Sequence, residues 1–177
     1  MDPINPSFWQ KLDHWARAST PTVSLLLLAL FGVVPIPLAD YGSVAPLLPL
    51  IGVYYWAIHR PDLLPFPAVF LVGLVQDLLT GGVLGVNAFV FLLVTWVVLT
   101  QRRTLVSMPV MIIWWAFAVI AALAAGVEWA AVSALNGEIM AARSAIYRAL
   151  ITGACYPIVA LCLHPVLRTM TPARSGA

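Results

Sequence analysis

The stretch Pro65–Leu93, PFPAVFLVGLVQDLLTGGVLGVNAFVFLL, decides the fold. It is almost wholly apolar, yet it holds one carboxylate, Asp77. Small residues flank that acid at a spacing of four: Gly73, Asp77, Gly81, Gly85. An acid in a segment of hydrocarbon length is costly and marks a candidate functional position. The Gly81-Gly82 pair breaks the run into two helix-sized halves.

Composition sets the class. Of 177 residues, 62% are hydrophobic and only 9% are charged, and a typical soluble domain carries about 25% charged residues. A mean hydropathy of +0.97 says the same. The chain reads as an integral membrane protein with no soluble catalytic or nucleic-acid-binding domain. The three histidines, His14, His59 and His164, are scattered, so no metal site is expected. Cys155 and Cys162 stand seven apart in one apolar run, about 10 Å along a helix, which is too far for a disulfide within the chain.

Residues 1–20 read as an interfacial amphipathic helix, capped at Asn5-Pro6 or Ser7, with Phe8, Leu12 and Trp15 on one face. No cleavable signal peptide is expected, because the apolar run begins only at Thr22 and no A-x-A-like site follows it. Thr20-Pro21 then starts a six-span domain over residues 21–168. The spans are expected at about 22–38, 44–59, 64–80, 83–100, 107–134 and 145–166, with turns at Asp40-Tyr41-Gly42 and Asn136-Gly137-Glu138. A cytoplasmic tail, 169–177, closes the chain. The second span is short and has Pro46 and Pro49 near its start.

Charge asymmetry sets the orientation. With the N-terminus inside, Lys11, Arg17, Arg60, Arg102, Arg103, Arg168 and Arg174 are cytoplasmic, and Arg143 and Arg148 are outside. Seven against two predicts that both termini are cytoplasmic. In that orientation Gln76, Asp77, Asn87, Glu128 and Arg148 all fall in the outer half of the membrane, as a buried polar ring. Charges at such depth pair or face the bundle interior, so Arg148 is expected to pair with Glu128 or Asp77. Gly73, Gly81 and Gly85 are expected to pack helix three against helix four. Trp56 and Trp96 are expected at the inside interface and Trp129 at the outside one, with Trp114-Trp115 deeper. No catalytic set is present: no second acid at tight spacing, no nearby histidine base and no nucleophile motif.

The string Gly73-Leu74-Val75-Gln76-Asp77, then Gly81, Leu84-Gly85 and Ala88, resembles the signature of MreD, the rod shape-determining membrane protein family. The preceding prolines, Phe70, the length and the six expected spans fit as well. The one departure is Asn87, an amide where members often have small or apolar residues. The resemblance implies an inner-membrane protein that is not an enzyme and needs no cofactor. It implies a scaffold of the cell-elongation machinery that binds MreC and helps direct peptidoglycan synthesis. It implies indirect links to MreB, RodA and the elongation-specific penicillin-binding transpeptidase, and it leaves a homo-oligomer within the complex open. The architecture implied is that of the substrate-binding membrane subunits of energy-coupling-factor transporters. A small vitamin-type transport subunit is the alternative function.

Overall fold

The computed structural model describes residues 8–33, 36–38, 42–137 and 142–170. Six helices dominate it: α1 (Phe8–Gly32), α2 (Leu48–His59), α3 (Phe66–Thr80), α4 (Val86–Val106), α5 (Val110–Asn136) and α6 (Ala142–Met170). Two three-residue strands, β1 (Ile36–Leu38) and β2 (Gly42–Val44), lie between α1 and α2. They pair antiparallel in the register Ile36↔Val44, Pro37↔Ser43, Leu38↔Gly42. Among the described residues three helices are long and apolar enough to cross a membrane: Val86–Val106, Val110–Leu135 and Ala142–Arg168. The apolar part of α1, Ser19–Gly32, and α3 are shorter.

The N-terminal half departs from the expected pattern. The helix that contains Thr20-Pro21 does not start there: α1 runs through Pro21, and the Ser24 hydroxyl donates to the Pro21 carbonyl at 2.7 Å. The expected span to residue 38 stops at Gly32, because the chain turns into β1 instead. The caps expected at Asn5-Pro6 or Ser7, the turn residues Asp40-Tyr41, and Glu138 and Arg174 lie outside the described residues.

α2 is the centre. It is apolar all round, as a helix with no solvent face must be, and Pro49 to Ile58 are all buried. α1, α4 and α6 pack against it; α3 bridges α1 and α4, and α5 bridges α4 and α6. Twelve residues rise about 18 Å, well short of a hydrocarbon core of about 30 Å. α2 is therefore a half-length helix enclosed by longer ones. Gly52 faces α1: a Cβ there would lie 2.5 Å from Leu25 Cδ2, so the ends of the facing leucine side chains would have to shift. Tyr54 donates to the Ile113 carbonyl at 3.0 Å and stacks into a ring cluster with Phe117 and Tyr156. Trp56 is wholly buried, its Nε1 donating to Ser24 Oγ at 2.9 Å. It is a core residue and not the interface residue its position suggested. Trp96 and Trp115 are exposed, while Trp114 donates to the Gly153 carbonyl.

Both ends of α2 are tied by side chains from other helices. The Leu47 N–H donates to Thr152 Oγ1 of α6 at 3.0 Å. At the other end, Arg102 Nε of α4 donates to the Ile58 carbonyl at 2.8 Å, which places a cation at the negative end of the helix.

Candidate functional site

α3 and α4 meet at one close crossing. A Cβ on Gly73 would lie 2.3 Å from the Ala88 Cα and 2.7 Å from its N, so only glycine fits there. Gly81 and Gly85 do different work from the packing expected of them: nothing would lie within 4 Å of a Cβ on either. Both have positive φ, 65° and 95°. Gly81 ends α3 in the left-handed conformation, and the Gly82 N–H returns to the Asp77 carbonyl at 3.2 Å. Gly85 is the residue that opens α4.

A helix start leaves backbone N–H groups without partners, which a polar side chain at the capping position normally satisfies. Gly85 has none to offer. Asp77 takes its place from the preceding helix. Its Oδ2 accepts from the Gly85 N–H at 2.8 Å, and its Oδ1 accepts from the Asn87 N–H at 3.1 Å and from Asn87 Nδ2 at 2.8 Å. Asp77 is 1% exposed, and among the described residues no basic side chain is hydrogen-bonded to it. The positive end of α4 is its counter-charge. The arrangement also accounts for Asn87, the amide the sequence leaves unexplained: it is the third donor to the clamp. Thr80 Oγ1 donates back to the Gln76 carbonyl at 2.8 Å and closes the last turn of α3.

Glu128 and Arg148 form a second polar group. Arg148 donates to Glu128 Oε1 across the α5–α6 interface at 2.5 Å, with both side chains largely buried. Of the two partners expected for Arg148, Glu128 is the one it meets. A narrow crevice adjoins the ion pair, lined also by Leu47, Leu50, Ala121, Ala125, Ala149 and Thr152. While the pair is closed it encloses room for only about one water. The polar side chains thus divide into a three-bond carboxylate clamp and an ion pair.

Gln76 belongs to neither hydrogen-bonded set. It is wholly buried, and neither its Oε1 nor its Nε2 has a partner. Asn87 Oδ1, Arg148 Nε and the Tyr55 hydroxyl are likewise buried without one. Sequence reading missed Thr152 and Arg102 as the ties on α2. Pro46 and Pro49 were the available signal that α2 begins inside the bundle. Among the described residues no group of three or more His, Cys, Asp or Glu could hold a metal ion. Both cysteines are free.

Comparison with curated proteins and with solved structures finds no match. A family model described as rod shape-determining protein MreD matches residues 16–166. That segment takes in the Asp77 clamp, the Gly73 crossing, the Glu128–Arg148 pair and nearly all of the three helices able to cross a membrane. The chain belongs to the MreD family of rod shape-determining membrane proteins.

Proposed function

We propose that this chain is a non-enzymatic scaffold of the cell-elongation machinery that holds the membrane helix of MreC. In this reading it lies in the inner membrane with both termini cytoplasmic, in keeping with the seven-to-two bias of basic residues. Through MreC it connects to MreB filaments, RodA and the penicillin-binding transpeptidase, and so influences where peptidoglycan is made. The six-helix architecture is taken to resemble that of the energy-coupling-factor substrate-binding subunits.

One observation carries the reading. Ala122, Gly126 and Ala130 form an exposed strip on α5, and nothing lies within 4 Å of where a Gly126 Cβ would be. Glycine inside a helix costs about 0.5–1 kcal/mol against alanine. No contact among the described residues repays that cost. Trp115, Val119 and Leu123 stand exposed beside the strip. Lipid supplies no hydrophobic drive between helices, so small residues that admit a second backbone are what a membrane partner requires.

The transport alternative has less support. Its ligand pocket would need several converging polar groups, and the crevice beside Glu128 is narrow. The first N–H groups of α2 are also satisfied within the chain, Leu47 by Thr152, Leu48 by the Pro46 carbonyl and Leu50 by the Leu47 carbonyl.

Co-purification from native membranes tests the proposal. MreC is expected with the wild-type chain and is expected to be lost from Gly126→Leu, which has space to fold unchanged. A Gly126→Leu chain that still retains MreC and supports rod shape would reject this face. Asp77→Asn is expected to weaken the complex or cost rod shape. An ATPase pair or a tightly bound vitamin in place of MreC would establish the transport reading.

A further inference from the structure

The scaffold reading leaves the Glu128–Arg148 pair without a task. Its depth is informative. α5 has 27 residues and α6 has 29, so they rise about 40 and 43 Å against a core of about 30 Å. Centred on that core, each overhangs it by about 5–7 Å at either end. Arg148 lies six residues inside the start of α6, about 9 Å, and Glu128 eight residues before the end of α5, about 12 Å. The pair therefore sits a few ångströms beneath the hydrocarbon boundary, within reach of a lipid phosphate and far from the midplane.

Its chemistry is equally specific. A cation and an anion stand side by side at one crevice. Arg148 spends one N–H on Glu128, while its Nε is buried with no acceptor. A buried donor left unpaired costs about 1–3 kcal/mol, so an oxygen acceptor there would be stabilising. A simple anion is disfavoured by Glu128, and the start of α2 offers no free N–H to offset that repulsion. A zwitterion satisfies both partners with no change in net charge. The apolar lining, Leu47, Leu50 and three alanines, suits the glycerol end of such a group.

We propose that this crevice binds the phosphoethanolamine headgroup of a membrane phospholipid, with the phosphate on Arg148 and the ammonium on Glu128. Because the closed crevice is narrow, the headgroup enters by parting the ion pair and replaces one salt bridge with two. A choline headgroup has no N–H to give Glu128, and a glycerol headgroup has no cation.

The test is native mass spectrometry of the full-length protein in detergent, delipidated and then offered phosphatidylethanolamine, phosphatidylglycerol or phosphatidylcholine. Phosphatidylethanolamine is expected to be retained about tenfold better than either of the others. Glu128→Gln and Arg148→Gln, checked for native helicity, are each expected to lose that preference. Ala149→Leu narrows the crevice with the ion pair intact, and is expected to lose the lipid even if the charge variants do not fold. Equal retention of the three lipids, or no retained lipid and water alone in the crevice, overturns the proposal. So does an unchanged preference in the folded variants. Displacement of the lipid by an equal concentration of glycerophosphoethanolamine would assign the site to a soluble headgroup, and overturns the lipid assignment.

Discussion

Asp77→Asn is the most informative single change to this protein. The substitution keeps the shape of the side chain and removes the charge. In the native clamp two oxygens accept three N–H donors, at 2.8, 3.1 and 2.8 Å. An asparagine oxygen at the Oδ1 position keeps both bonds from Asn87. The amide nitrogen then faces the Gly85 N–H, donor against donor. One charge-assisted bond, about 1.5–3 kcal/mol, is lost. Donors are left unpaired in a site that is 1% exposed, at about 1–3 kcal/mol. The attraction between a carboxylate and the start of α4, up to about 2 kcal/mol in a buried setting, goes as well. These contributions overlap, so the net loss is about 3–5 kcal/mol. The seven tryptophans make unfolding in mixed micelles easy to follow by fluorescence. Asn87→Ala supplies the double-mutant cycle: it removes the Nδ2 bond and keeps the backbone one, and the charge-assisted part of that bond, lost in Asp77→Asn, should couple the two changes by about 0.5–1 kcal/mol. A loss below about 1 kcal/mol for Asp77→Asn, with no coupling to Asn87, would refute the charged clamp.

Three further substitutions probe the same framework by the same unfolding measurement. Gly73→Ala forces a Cβ to within 2.3 Å of the Ala88 backbone and should cost about 3 kcal/mol or more, whereas Gly81→Ala meets open space and pays only for its φ of 65°, about 1–2 kcal/mol; the reverse order would contradict their division of labour. Arg102→Met removes the tie on the Ile58 carbonyl and should cost about 1–3 kcal/mol, and Arg102→Lys should recover only part of it, because the bond comes from Nε. Gln76→Leu deletes two buried atoms that have no partner and should be neutral or stabilising; a loss above about 2 kcal/mol would mean that water satisfies the amide.

The membrane class and the pairing of Arg148 with an acid, Glu128 or Asp77, were legible because both rest on one physical cost, that of charge in hydrocarbon. The motif around Asp77 was legible as a site but not as a mechanism. Residues 73, 77, 81 and 85 keep a spacing of four, which reads as one helix face. The helix ends at residue 80, however, so the same spacing serves a crossing, a cap, a stop and a start. Gly81-Gly82 marks the end of α3 in the sequence, but periodicity cannot reveal that Gly85 draws its cap from Asp77. Nor can it reveal that Asn87 turns back to Asp77, a contact ten residues long that depends on the turn between them.

α2 shows the same limit at the scale of the whole fold. Hydropathy measures how apolar a segment is, not what surrounds it, and a segment facing lipid looks like one facing protein. The stretch 44–59 therefore reads as one more span. Its length argues otherwise, because 12 helical residues cannot bridge the core, and a helix that stops inside hydrocarbon must find partners for its ends. Those partners are Thr152 and Arg102, 105 and 44 residues away in sequence and each an ordinary polar residue on its own helix. Because α1, α4 and α6 all pack on this one enclosed helix, a shift of α2 would be felt at three faces of the bundle at once. Its anchors are thus the positions through which a change at the Glu128–Arg148 end could reach the opposite end, where Arg102 holds the last turn of α2.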